Sequence, residues 1–304
     1  MSAPTVPSET VPSETVPSVT VTRTTTELPV PPGADDEARE IVRALYTDGI
    51  TAKKGAFSRE ATERMREDIG VAFEEARSRP GGAVGRGPKR YYVEIHPEQL
   101  RGFVEIVDHP WFRKVSESVL GPDYQIVEVG FDIPFAGAVN QPWHRDFPMP
   151  DATRFEGRLT SLAFNLTAVD TEEDMGPFEI APGTQWDWAE DFGHEMFPPK
   201  PYYPRYEERA VRKYPQMGDI SARSALTIHR GTKNFSEKWR PVLVIGVDAP
   251  GAGNAEHHDL AVTHDYWEQL PPSVRQHLGC PVVDELTPIT QKHTIEGLVM
   301  GEAD

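Results

Sequence analysis

The first third of the chain places apolar residues at helical spacing. Asp35 or Asp36 can cap a helix that carries its apolar residues on one face. Ser58 can cap a second helix that ends near Ala76. The apolar face of the first helix consists of Ile41, Val42, Leu45 and Tyr46. Further predictions are a short strand at 50–52, a glycine-rich loop at 79–90, and helices at 97–107 and 110–120.

From Tyr124 onward the pattern changes to short runs of Val, Ile, Phe and Thr, separated by Pro, Gly and Asp. Helices followed by such strands indicate an α+β fold with an antiparallel sandwich or barrel core. Residues 186–216 interrupt the strands with aromatic and charged side chains, and we predict that they form a lid. A packing helix is expected at about 263–279. Strands are predicted at 124–132, 141–146, 159–169, 177–181, 225–229 and 240–248.

The first 34 residues differ in composition from the rest of the chain. Residues 1–34 are rich in Pro, Thr and Ser, with few large apolar groups. Such a segment cannot offset the entropy of ordering, so we predict a disordered tail. Residues 35–304 are long enough to bury a core, and we predict a single domain there.

Charge and cysteine content narrow the possible partners and location. The net charge of −17 disfavours nucleic acid, because an acidic surface repels phosphates. The sequence contains no run of about 18 apolar residues, so we predict no membrane span. Cys280 is the single cysteine, which fits a reducing cytoplasm. We therefore expect a cytoplasmic protein with neither a nucleic-acid nor a membrane partner, and we expect it to be a monomer or a homodimer.

Two triplets match protein-kinase signatures, but their context does not. His144-Arg145-Asp146 has Asp151 where the kinase pattern requires an asparagine. Asp191-Phe192-Gly193 lies in the predicted lid, and no glycine-rich loop or Ala-Pro-Glu accompanies it. The sequence therefore argues against a kinase.

The same histidine and aspartate suggest a metal site instead. His144 and Asp146 are two residues apart, so on a strand they share one face, with Cα atoms roughly 6.5 Å apart. His229 ends a later predicted strand and can supply a third ligand. Two histidines and one carboxylate form the facial triad of non-haem Fe(II) oxygenases, which leaves open positions on the metal.

Arg240 is the candidate anchor for a cosubstrate. A turn at 231–234 separates it from His229, so we predict a hairpin that places Arg240 beside His229, facing the same cavity. Its guanidinium could pair with one carboxylate of a dicarboxylate such as 2-oxoglutarate. Each residue alone also fits a structural role: a surface turn, a strand histidine or a surface ion pair. Their order and spacing favour the metal site.

Several motifs together resemble the phytanoyl-CoA dioxygenase family of Fe(II)/2-oxoglutarate oxygenases, from about Leu45 to Leu278. These motifs are Trp143-His144-Arg145-Asp146, Met175-Gly176-Pro177, Ile180-Ala181-Pro182-Gly183-Thr184, Gly218-Asp219, the run from His229 to Ser236, and Arg240. The resemblance implies a double-stranded β-helix (a cupin-like jelly roll) flanked by N-terminal and C-terminal helices.

The resemblance also implies roles for individual residues. The iron ligands map onto His144, Asp146 and His229. The 2-oxoglutarate arginine maps onto Arg240. Possible further cosubstrate contacts are Asn165, Lys89 and Thr232, the last because Gly231 stands where the family often has serine.

A second departure is Pro182-Gly183-Thr184-Gln185 in place of the frequent Pro-Gly-Ser-His, which we expect to be a structural turn. Because Asp146 is present where related halogenases have a small residue, halogenation is disfavoured. Phe147, Arg145 and Arg223 are predicted to line the pocket, and His194 could meet the substrate from the lid.

The expected activity is hydroxylation of an unactivated C–H bond of a small molecule, with Fe(II), 2-oxoglutarate and O₂, and release of succinate and CO₂. Specialised metabolism is the family-level expectation. Desaturation, cyclisation and epimerisation are alternatives that use the same oxidant. A non-catalytic jelly-roll binding protein, or a hydrolase or isomerase with the same ligands, represents a different class.

Overall fold

A computed structural model describes residues 27–188 and 196–291 of the chain. Within them, the strands form one seven-stranded antiparallel sheet, one three-stranded antiparallel sheet and one short parallel pair. Helices precede the main strands, as the sequence predicts.

The first two predicted helices are confirmed together with their caps. The side chain of Asp35 accepts a hydrogen bond from the N–H of Ala38 at 2.8 Å, and that of Ser58 accepts one from Ala61 at 3.1 Å. Both interactions satisfy a backbone donor that the first helical turn leaves free. The helices are α1 (Asp36–Thr47), α2 (Arg59–Arg77), α3 (Phe103–Val107), α4 (Pro110–Leu120), α5 (Asp151–Arg154), α6 (Tyr203–Glu207), α7 (His264–Gln269) and α8 (Pro272–Arg275). Single 3₁₀ turns lie at Pro97–Gln99, Thr184–Trp186, Lys200–Tyr202 and Asn254–His257.

The strands are β1 (Ile50–Lys53), β2 (Val84–Gly85), β3 (Arg90–Glu94), β4 (Gln125–Pro134), β5 (Ser161–Thr167), β6 (Phe178–Ile180), β7 (Val211–Lys213), β8 (Ile220–Ser224), β9 (His229–Gly231), β10 (Val242–Asp248), β11 (Val262–Thr263) and β12 (Val282–Val283). The large sheet has the order β1-β8-β5-β10-β4-β3-β2, and the small sheet has the order β7-β6-β9.

The two faces of the large sheet carry different side chains. Phe164 on β5 is buried and stacks on Phe112 of α4, with ring centroids 4.0 Å apart. Because side chains alternate along a strand, Ala163 and Asn165 point to the opposite face. Arg223 on β8 pairs with Ala163 and shares that face. We call the helix-covered side the outer face and the side with Arg223 the inner face.

Two predicted strands near the candidate site are wrong. Residues 141–146 belong to no strand, and His144 forms a single antiparallel bridge with His229. Residues 225–228 form a turn between β8 and β9. In this apolar run the chain passes from the large sheet to the small one, although the sequence pattern alone resembles a single strand.

Two other predictions also need correction. The predicted loop at 79–90 contains β2, and its last residue Arg90 begins β3. The predicted helix at 263–279 is interrupted between α7 and α8, where Pro271 and Pro272 follow each other. A proline lacks the N–H that a continuous helix needs.

The structure describes only parts of the predicted tail and lid. Residues 1–26 of the tail and 189–195 of the lid segment lie outside the described residues. The rest of the lid segment contains α6, β7 and two 3₁₀ turns. No helix among the described residues is long and apolar enough to cross a membrane.

Candidate active site

Three candidate metal ligands come together where the two antiparallel sheets meet. Backbone hydrogen bonds of 3.0 and 2.9 Å join His144 to His229. The N–H of Asp146 donates to the carbonyl of Ala225 at 2.9 Å. One ligand atom from each of His144, Asp146 and His229 lies within 4.8 Å of the others. The fold therefore brings the three predicted ligands together, although no strand carries His144 and Asp146.

Both histidines present a nitrogen that can bind a metal. Nδ1 of His144 lies 2.8 Å from the carbonyl oxygen of Pro142, and Nδ1 of His229 lies 2.9 Å from that of Thr227. Because a carbonyl only accepts, each Nδ1 donates its proton and each Nε2 keeps a lone pair. Burial lowers the pKa of His144 to about 4 and that of His229 well below its ordinary value. Both imidazoles are therefore neutral near neutral pH.

The carboxylate of Asp146 is held by an arginine. Nη1 of Arg223 donates to Oδ2 of Asp146 at 2.5 Å, and Nη2 donates to Oδ1 at 3.2 Å. Burial alone raises the pKa of Asp146, but the charge and the hydrogen bond of Arg223 oppose it, and the pKa is lowered. Two neutral imidazoles and one ionised carboxylate are the donor set of a non-haem Fe(II) centre, so these residues fit the expected metal.

A buried pair of arginines lies near the metal ligands. Arg90 is 1% exposed and Arg240 is 4% exposed. Burial, followed by the charge of Arg90, lowers the pKa of Arg240 to about 10. Arg90 donates to Asp132 at 2.8 Å, and Nε of Arg240 donates to the carbonyl of Gly176 at 3.0 Å. Among the described residues, Arg90 forms an ion pair with Asp132 whereas Arg240 forms none, which favours binding of an additional carboxylate.

Arg240 does not reach this position through the predicted hairpin. It precedes β10, which pairs with β4 and β5 in the large sheet, whereas His229 lies on β9 in the small sheet. The N–H of Arg240 donates to the carbonyl of Pro134 at 2.9 Å. The segment after β9 therefore crosses between sheets instead of turning back on itself.

The position of Gly231 shows where Arg90 lies relative to the metal ligands. It lies two residues beyond His229 on β9, so both share one face, roughly 6.5 Å apart. A Cβ atom at Gly231 would lie 2.4 Å from Nη1 of Arg90. The absence of a side chain at this position therefore makes room for the Arg90 guanidinium.

Arg90 was not among the predicted site residues, whereas its neighbour Lys89 was. Lys89 is exposed, has a φ of 54° and lines a groove of about 770 Å³ together with Tyr91 and Trp239. Because Arg90 and Tyr91 alternate along β3, Arg90 faces the site and Tyr91 faces the groove. The strand alternation of Arg90–Glu94 is the signal that could have identified Arg90.

The other predicted contacts take varied positions. Asn165 is half-buried on the inner face, as described above. The hydroxyl of Thr232 donates to the carbonyl of Pro177 at 2.7 Å, so its proton is already engaged. Arg145 is buried and donates to the carbonyl of Asp187 at 2.6 Å, while Phe147 is half-buried. His194 and the Asp191-Phe192-Gly193 triplet lie outside the described residues.

The substituted motif at 182–185 is a structural turn. Gly183 has a φ of 79°, which glycine adopts easily. The hydroxyl of Thr184 accepts from the N–H of Ile228 at 2.8 Å, and the amide of Gln185 donates to carbonyls at the end of α1. These contacts hold the turn against α1 and the segment before β9.

Comparison with known families agrees with the motifs and the geometry. Residues 45–242 match the model of the phytanoyl-CoA dioxygenase (PhyH) family. The chain belongs to the phytanoyl-CoA dioxygenase family. This membership, together with the cluster of His144, Asp146 and His229, confirms the prediction of Fe(II) and 2-oxoglutarate as cofactors.

Solved structures share the fold at low sequence identity. EctD from S. alaskensis in its apoform matches with a TM-score of 0.60 and 15% identity, over 73% of this chain and 81% of EctD. A second EctD structure, with 2-oxoglutarate and 5-hydroxyectoine, gives the same score and identity, over 74% and 81%. AviO1 from Streptomyces viridochromogenes Tue57 matches with a TM-score of 0.55 and 16% identity, over 72% of this chain and 98% of AviO1. No curated protein matches the sequence.

Proposed function

We propose that this member of the phytanoyl-CoA dioxygenase family hydroxylates an unactivated C–H bond of a small molecule. The overall reaction would convert substrate, O₂ and 2-oxoglutarate into hydroxylated substrate, succinate and CO₂. The observation that carries the proposal is the convergence of His144, Asp146 and His229 within 4.8 Å. A double-stranded β-helix is the core architecture that we assign, supported by the two antiparallel sheets.

In this proposal, His144, Asp146 and His229 hold Fe(II), which when bound supplies the activation of O₂. The three side chains would leave positions on the metal free for the cosubstrate and O₂, and both histidines would offer an unprotonated nitrogen. The hydrogen bond from each Nδ1 to a backbone carbonyl fixes the tautomer that leaves Nε2 with its lone pair, and burial, which lowers the pKa of both histidines, keeps them neutral.

Arg240 and Arg90 would anchor the distal carboxylate of 2-oxoglutarate. Both are buried, and Asp132 forms an ion pair with Arg90 alone of the two. A Cβ atom at Gly231 would meet Arg90, which places Arg90 on the side of β9 that carries His229. Arg90 thus takes the role that the sequence suggested for Lys89. Asn165 and Thr232 remain proposed neighbours of the cosubstrate.

The same site could also support desaturation, cyclisation or epimerisation, since all three begin with removal of a hydrogen atom. The presence of Asp146 argues against halogenation. We keep the 186–216 segment as the proposed lid, a cytoplasmic location and a role in specialised metabolism as parts of this proposal.

The test is cosubstrate turnover during a substrate screen. Purified protein with Fe(II), 2-oxoglutarate and O₂ would be offered candidate small molecules, and succinate formation would be measured. We expect some compounds to stimulate O₂-dependent succinate release, and His144→Ala to abolish it. Product formation without O₂ would instead favour a hydrolase or isomerase, and binding without any succinate would favour a non-catalytic protein.

A further inference from the structure

We propose that Arg223 is a positioning residue that restricts Asp146 to binding the metal through one oxygen. The inference rests on the proposed metal site. It concerns how many positions on the metal the protein leaves free for the cosubstrate.

The two contacts between Arg223 and Asp146 are unequal. Nη1 lies 2.5 Å from Oδ2, whereas Nη2 lies 3.2 Å from Oδ1. Oδ1 is also the oxygen that faces the triad, since it lies 3.5 Å from Nε2 of His229. Oδ1 is therefore the oxygen available to a metal, and Oδ2 is the one that Arg223 retains.

The surroundings of Arg223 keep its guanidinium in place. Arg223 is 6% exposed and lies on β8 beside the small residue Ala163. Its guanidinium carbon lies 5.7 Å from the ring centroid of Phe178, within the range of a cation–π contact. The same ring lies 5.3 Å from the ring of His229. The strand, the aromatic ring and the carboxylate thus fix the arginine together.

A one-oxygen ligand matters because the reaction needs open positions on the metal. A carboxylate that binds through both oxygens fills a second position, which competes with a chelating cosubstrate. A charge-assisted hydrogen bond to Oδ2 disfavours that second bond. Loss of Arg223 should therefore weaken 2-oxoglutarate binding more than Fe(II) binding.

The experiment separates these two affinities. Fe(II) is titrated anaerobically into the metal-free protein, and 2-oxoglutarate is then titrated into the Fe(II)-loaded protein, with tryptophan fluorescence and the visible charge-transfer band as readouts. The variants are Arg223→Leu and Arg223→Gln, with Arg223→Lys to restore one contact to Oδ2. The matched control is Arg59→Leu, because Arg59 holds Asp170 through two contacts of 3.1 and 3.0 Å at the surface.

We expect Arg223→Leu and Arg223→Gln to bind Fe(II) but to need about 10–100 times more 2-oxoglutarate, the order of the loss of metal affinity or activity that follows removal of a metal ligand's hydrogen-bond partner. Arg223→Lys should recover part of the loss, and Arg59→Leu should match the parent protein. If Arg223→Leu does not fold, as judged by circular dichroism, Arg223→Gln decides.

Two results would overturn the inference. One is parent-like 2-oxoglutarate binding in a folded variant. The other is a parallel loss of Fe(II) and 2-oxoglutarate, since that would assign Arg223 to metal retention in general. Failure of the parent protein to bind Fe(II) would instead refute the proposed function, so the two failures are distinguishable.

Discussion

The two faces of the large sheet perform different tasks with alternate residues of the same strands. The outer face buries Phe164 against α4, and it carries the apolar core beneath the helices. The inner face carries Arg223, Asn165 and the Asp132 partner of Arg90. The comparison teaches that a strand which looks uniformly buried can still separate stability from chemistry, residue by residue.

The largest effect should come from the candidate metal ligands, which lie next to the inner face. We expect His229→Ala to lower O₂-dependent succinate formation about a thousandfold or more, because a bound metal ion contributes several kcal/mol to catalysis. The matched control is His257→Ala, since His257 is exposed in a 3₁₀ turn. Substantial activity in His229→Ala would remove that histidine from the site.

Neighbouring residues on β5 can test the division between the faces. We expect Phe164→Ala to lower the free energy of unfolding by about 3–5 kcal/mol, because it leaves a cavity against Phe112. Asn165→Ala should cost less than about 1 kcal/mol. Urea denaturation would measure both. Equal losses of stability would show that the inner face also carries the core.

The arginine pair should affect cosubstrate binding more than stability. Arg240→Leu should raise the 2-oxoglutarate requirement about tenfold to a hundredfold, which corresponds to a lost charge-assisted hydrogen bond of about 1.5–3 kcal/mol. Arg90→Leu should act in the same direction, and Lys89→Ala should have the smallest effect of the three. A larger effect of Lys89→Ala than of Arg90→Leu in saturation curves would reverse our assignment.

The smallest effect concerns acid–base behaviour away from the metal. Burial lowers the pKa of His258, but Glu128 and Glu94 outweigh it and raise the pKa above its ordinary value. The protonated histidine therefore stabilises the fold below its unfolded pKa of about 6.5, and this contribution is lost as the pH rises through the folded pKa. Thermal unfolding should show this decline in the parent protein and a flatter profile in His258→Gln. An equally steep profile in the variant would assign the decline to other groups.

The sequence was sufficient for features that local chemistry determines. The caps at Asp35 and Ser58, the strands around Phe164 and Leu243, and the clustering of the three candidate ligands all follow from residue type and spacing. The three predicted ligands lie together, although the predicted reason was partly wrong: backbone bonds to His229 and Ala225 hold His144 and Asp146, without a strand.

Long-range features could not be predicted in the same way. The crossing between β8 and β9 interrupts a continuous apolar run, and the run gives no sign of a change of sheet. Arg90 follows a glycine-rich loop, which gives no local sign that its side chain is buried. Its burial comes from pairing with β4, which is distant in sequence. The contact of Arg223 with Asp146 likewise joins residues 77 positions apart.

The most direct test of the central claim is the visible charge-transfer band of the Fe(II)–2-oxoglutarate chelate, recorded without O₂. Our account predicts that the band appears when Fe(II) and 2-oxoglutarate are added to the parent protein and is absent in His144→Ala. The absence of the band in the folded parent protein, or its persistence in His144→Ala, would contradict the account.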